Sequence, residues 1–169
     1  MPEAEPVTPW PQAMEAAMVE RLKTFMPGVH IEAIPEREWN FTHPRGAVLV
    51  MLQGMRPAGQ PRNLGAVVQD MTLTFEVNLM SRSMRNHTGL YPMLTLALQA
   101  LYGWAIPQTT EPLQLAAGGG LSYDEGAWSW NLRFETRFVL VPCPDPDPEY
   151  PLIKNISVSN CGEDCESCQ

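Results

Sequence analysis

The residues with the most obvious chemistry lie near the C-terminal end: Cys161, Cys165 and Cys168 in a C-x3-C-x2-C run, with Cys143 as a fourth thiol upstream. Four thiolates suffice to enclose zinc tetrahedrally or to hold an iron–sulfur cluster, and a reducing compartment disfavours disulfides. Glu163, Asp164 and Glu166 stand among these cysteines, adding to the negative charge of the thiolates while also attracting a cation. Three states stay open for the set: a zinc or iron–sulfur site, disulfides formed once the protein leaves the reducing cell, and free thiols on a tail.

The spacing of the triad also matches the cluster-binding cysteines of radical enzymes that use adenosylmethionine. That chemistry needs a large barrel around cluster and substrate, and only Gln169 follows the last cysteine, so no such activity is expected. His30, His43 and His87 are far apart in sequence and form no H-x-x-x-H pair, which points to surface or capping roles. Ser122 follows Gly118-Gly119-Gly120 without the G-x-S-x-G elbow, and the glycines lack the lysine and following helix of a phosphate loop. A turn or bulge explains them better. With no acidic pair set in an apolar motif that would shift its pKa, enzyme function is not expected.

Composition bounds the partners. Of the 169 residues 44% are hydrophobic and only 18% charged. That is ample material for a core and a thin supply of solubilising charge, so some surface should be covered by other chains. The net charge is −8, with 11 Lys and Arg against 19 Asp and Glu, which argues against capture of nucleic acid through its phosphates. No stretch approaches the length of a membrane-spanning helix, and Glu3 and Glu5 stand where a secretory signal carries positive charge. The sequons at Asn40, Asn86 and Asn155 are therefore not expected to be glycosylated.

Any candidate site must be positioned by the elements upstream of a dense proline run, 142–151, which cannot form a strand ladder. The first helix is predicted over 11–25: Met14, Ala17, Met18, Leu22 and Phe25 recur at helical spacing, with Glu15, Glu20 and Lys23 opposite. A short strand over 29–34 precedes a loop, 35–45, expected to expose Trp39 and Phe41. Residues 46–53 form an apolar run without alternation, which fits a central strand covered on both faces. A Pro/Gly/Arg loop over 54–65 carries Arg56 and Arg62. Strict alternation over 67–79 puts Met71, Leu73, Phe75, Val77 and Leu79 on one face. Thr88 is placed to cap a second helix over 90–102, with Leu94, Leu98 and Leu101 as its stripe. Segments 113–117 and 127–141 read as a hairpin around the glycines and Asp124-Glu125-Gly126. In its second arm Trp128, Trp130, Leu132, Phe134, Phe138 and Leu140 share a face that only Thr136 interrupts.

The order α-β-β-β-α-β-β predicts an α+β fold, a mostly antiparallel sheet packed by two helices. The expected organisation is an N-terminal arm over 1–11, a domain over 12–141, and an extended Pro/Cys-rich strap and tail over 142–169.

Three segments, taken in order and spacing, resemble the tail terminator family of Mu-like phages. They are Thr42-His43-Pro44-Arg45-Gly46-Ala47-Val48-Leu49-Val50, then Leu64-Gly65-Ala66-Val67-Val68-Gln69-Asp70 leading into the alternating strand, and the closing Trp-rich strand. The linker Ser81-Arg82-Ser83-Met84-Arg85-Asn86-His87-Thr88-Gly89-Leu90-Tyr91 is similar in composition and position. The resemblance covers roughly residues 14–141. It implies a small subunit that closes into a hexameric ring on the head-proximal end of the tail tube and stops tube growth. The implied partners are further copies of the chain, the tail tube protein, a neck or head-completion (connector) protein and, in a contractile tail, the sheath. DNA would pass through without specific binding, and the protein would be assembled in the host cytoplasm and reside in the virion, at the tail and neck.

The residues agree with such a mechanism. A ring joins one patch of a subunit to a different patch of the next, which suits loop aromatics and free strand edges. Trp39, Phe41, Arg56 and Arg62 are the interface residues expected. Two alternatives stand beside this reading: another neck or tail-completion subunit, and a small metal-binding protein that works through Cys143, Cys161, Cys165 and Cys168.

Overall fold

A computed structural model describes residues 8–37, 39–63 and 67–142. All four cysteines, the strap and tail over 143–169, and Leu64-Gly65-Ala66 lie outside the described residues, as does the side chain of Arg62.

The chain folds as α1 (Trp10–Phe25), β1 (His30–Ala33), β2 (Ala47–Pro57), β3 (Arg62–Asn63), β4 (Val67–Ser81), α2 (Leu90–Leu101), β5 (Gln114–Asp124) and β6 (Ala127–Leu140). The strands run in the order β1-β2-β4-β6-β5, with the two-residue β3 pairing beside β4. Only the β1/β2 pair is parallel. This is the expected α+β fold, a mostly antiparallel sheet with two helices. The first helix starts at Trp10, inside the stretch expected to be an arm.

Alternation explains where the core sits. Residues paired across neighbouring strands project to the same side, and Val48, Val50, Leu73, Phe75, Val77, Leu79, Leu132 and Phe134 all fall on one side in register. That side meets Met14, Met18, Val19 and Leu22 of α1 and Leu90, Met93, Ala97, Ala100 and Leu101 of α2. Both helices therefore cover one face of the sheet. Thr136, the one interruption, is buried there, and its hydroxyl donates to the carbonyl of Glu111.

Four details differ from the sequence-based expectations. The buried stripe of α2 is Leu90-Met93-Ala97-Ala100 with Leu101, which was expected there, whereas Leu94 and Leu98 are only partly buried. Its N-cap is Gly89, which has no side chain to cap with, and Thr88, one residue earlier, accepts the Ser81 hydroxyl at its backbone carbonyl. β2 continues through 54–57, past a bulge at Gln53, so Arg56 stands on a strand rather than in a loop. Gly118-Gly119-Gly120 lie within β5 at a shift of register, the bulge rather than the turn of the two readings, and the turn is the two-residue Glu125-Gly126, both at positive φ (46° and 80°), as a type I′ hairpin requires. Gly119 is needed inside the strand because a Cβ there would collide with the backbone carbonyl of Asn131.

Candidate assembly surfaces

The face of the sheet away from the helices carries a polar ladder. Arg56 Nη2 reaches both carboxylate oxygens of Glu135, at 3.1 and 3.0 Å, passing over β4. Arg133 pairs with Glu76 at 3.5 Å, and Gln53 donates to the same carboxylate at 2.8 Å. Arg137 pairs with Glu111 at 3.4 Å. These side chains are partly or largely exposed, so each pair contributes little stability.

At one end this face is covered by the 34–46 connection. Ala47 and Leu49, which project away from the helices, are buried there, so the start of β2 is enclosed on both sides as its uninterrupted apolar run implies. Trp39 and Phe41 are half-buried, rather than exposed as expected, because they lie in this cover. They belong to a stacked series: His30 on His43 at 3.8 Å and 7°, His43 beside Trp39 at 6.2 Å, Trp39 beside Phe41 at 6.1 Å, and the Arg82 guanidinium 5.9 Å from the Phe41 ring. The imidazoles that seemed unrelated in sequence meet because the parallel register sets His30 opposite Ala47, four residues after His43. His30 Nε2 also lies 3.1 Å from Glu32. Trp39 and Phe41 further line a hollow of about 290 Å³ with Asn78, Asp124, Glu125 and Ser129.

The sheet has two free edges among the described residues. β5 is one. It has no charged residue and no proline from Gln114 to Tyr123, and it is exposed along nearly its whole length. Its large apolar side chains, Leu115 (40% exposed), Leu121 (39%) and Tyr123 (59%), all project to the helix side, opposite Phe134, Trp130 and Trp128. Neither α1 nor α2 covers them. β1 is the other edge, and α1 overhangs it.

Of the expected interface residues, Trp39 and Phe41 are brought together and Arg56 stands apart in the polar ladder. Sequence reasoning did not single out the β5 edge, although its uncharged run is visible there. Among the described residues no group of three or more His, Cys, Asp or Glu able to hold a metal ion is present, and none of their helices is long and apolar enough to cross a membrane.

The fold and its surfaces define an open-faced two-layer α+β protein whose exposed edges are more developed than any pocket. The chain belongs to the family described as Gp37 protein, whose model matches residues 18–160. That match crosses the proline run and ends just before Cys161. No curated protein matches the chain. Among solved structures, a chain from one described as "Virion of native gene transfer agent (GTA) particle" is similar, at 14% identity and a TM-score of 0.49, over 76% of this chain and 98% of that one.

Proposed function

We propose that this chain is a tail terminator of a phage or phage-derived particle. It acts by assembling into a ring that caps the head-proximal end of the tail tube, stops tube polymerisation and presents the surface that joins the neck and head. The observation that carries an assembly role is the β5 edge. A long exposed edge without charge or proline is a liability for a monomer and a contact surface for a subunit. The ordered segments resembling Mu-like terminators supply the particular assembly, with six copies, the tube protein below, a connector above and, in a contractile tail, the sheath around it. The protein is thus made in the host cytoplasm and kept in the virion. Its net charge of −8 suits a ring through which DNA must pass without being held.

The test is the native mass of the purified protein, alone and after mixing with tail tubes that lack a terminator, with imaging of the tube ends. A six-subunit ring seated on one end of each tube supports the reading. A protein that neither forms rings nor caps tubes overturns it.

A further inference from the structure

The two free edges of the sheet differ in a way that bears on how subunits join. Along β1, the edge is roofed by α1, leaving a groove of about 420 Å³. Its floor and wall include Ala16, Val19, Ile31, Ala33 and Ile34, and Ile34 is half exposed. Glu20, Lys23, Glu32 and Glu36 rim it, with Glu20 paired to Lys23 at 2.8 Å. Glu15 is already engaged, accepting the Leu52 amide at 2.7 Å. At the other end of the sheet β5 shows the converse: apolar side chains on the helix side and neither α1 nor α2 above them.

We infer that the β5 edge of one subunit seats in the α1/β1 groove of the next copy, extending the sheet from subunit to subunit. This rests on the ring reading and names the surfaces that make the ring.

Three features favour a second copy as the occupant. A strand added beside β1 keeps the sides of the sheet continuous. Leu115, Leu121 and Tyr123 then fall on the side of Ile31 and Ala33, under the neighbouring α1, where Ala16 and Ile34 remain exposed. Two chains of net charge −8 repel, and β5 offers an edge free of carboxylates from Gln114 to Tyr123 to approach the acidic rim of the groove. The contact joins unlike patches, the head-to-tail kind that closes into rings, whereas β5 against β5 would stop at a dimer.

The experiment places the photo-crosslinking residue p-benzoylphenylalanine at Tyr123 in the full chain. Equal amounts of nitrogen-15 and unlabelled protein are mixed, allowed to form rings alone or on tubes, irradiated, and the crosslinked peptides mapped by mass. Crosslinks between copies from position 123 to residues 12–23 or 31–36 are the expected result. Crosslinks to 114–124 of another copy, to any other element, or none at all while rings are present, overturn the edge-to-groove contact and leave the ring reading standing. If the unaltered protein forms no ring even on tubes, both readings fall.

A second arm compares Leu121→Lys with Tyr102→Lys, whose site is the exposed C-cap of α2. Circular dichroism first verifies that each variant folds. Leu121→Lys should raise the protein concentration needed for ring formation about tenfold or more, as loss of a central apolar contact does. Tyr102→Lys should leave that concentration unchanged. Equal behaviour of the two variants overturns the proposal.

Discussion

Arg56 and Glu135 join the two strands that flank β4, their side chains meeting at 3.0 Å across the polar face of the sheet. Arg56 is 66% exposed and Glu135 30%, and Thr74 stands 3.5 Å from the same carboxylate. The guanidinium is thus held by its own subunit, on the face that the helices leave open.

Arg56→Ala should therefore cost the fold at most about 1 kcal/mol, the usual worth of an exposed ion pair. Urea denaturation measures this as a small fall in midpoint at unchanged slope. If Arg56 also contacts a neighbour or the tube, the same variant will lower ring formation or tube capping while its denaturation midpoint stays near that of the parent. A large loss of stability would instead make Arg56 a structural residue.

Phe75 and Phe134 sit opposite one another on β4 and β6, both fully buried. Phe134→Ala removes a ring from the centre of the core, where helices and sheet meet, and should cost about 3–5 kcal/mol. The expected readout is a marked drop in thermal midpoint or recovery only in the insoluble fraction. Ser129→Ala, on the opposite face near the β5/β6 turn, serves as the comparison, since its hydroxyl meets only Ser122 at 2.6 Å. It should stay within about 1 kcal/mol of the parent.

Gly46 immediately precedes β2 with φ at +93°, and a Cβ there would lie 2.9 Å from the Met80 carbonyl and 2.8 Å from the Met93 sulfur. Gly46→Ala combines a strained backbone with a backbone clash, so the expected cost is about 1–3 kcal/mol. Because Gly46 also ends the cover that carries Trp39 and His43, the variant should expose the Ala47 and Leu49 side of β2. Hydrogen exchange at 47–50 is the measurement: faster exchange there than in β6 supports the account, and uniform acceleration everywhere would mean only a general loss of stability.

The fold was most legible where one physical signal dominated. The alternation from Met71 to Leu79, and the even positions from Trp128 to Phe138, fixed both central strands and their inner faces, because burial on one side leaves a period of two. The stripe of α2 was read correctly at Leu101 but not at Leu94 and Leu98, because that helix is apolar nearly all round. Leu94, Leu96 and Leu98 compete with Leu90, Met93, Ala97 and Ala100, and only tertiary packing chooses between them. The three glycines fitted a turn or a bulge equally, and the register shift between Gly118 and Leu121 makes them the latter; nothing local reveals that Gly119 must approach the Asn131 carbonyl. Trp39 and Phe41 were visible as aromatics in a loop, but the stacking of His43, Trp39's neighbour, on His30 depends on a parallel pairing of strands separated by that very loop. The β5 edge was legible as an uncharged run. What could not be read was that it ends the sheet.

The cysteine set gives the remaining prediction. The family match ends at residue 160, so Cys161, Cys165 and Cys168 lie beyond it while Cys143 lies within. If the assembling part of the chain is the matched region, changing Cys161, Cys165 and Cys168 together to Ser should leave the native mass of the ring and its capping of tubes unchanged. The same preparation should be measured for zinc and iron before and after the change. Stoichiometric metal in the parent, lost together with assembly in the variant, would make the tail a structural metal site on which the ring depends. Metal lost with assembly retained would make the site real but separate from ring formation. No metal and normal assembly would leave the thiols without a part in either, and comparing non-reducing gels of free protein and finished particles would then show whether they pair once the particle is outside the cell.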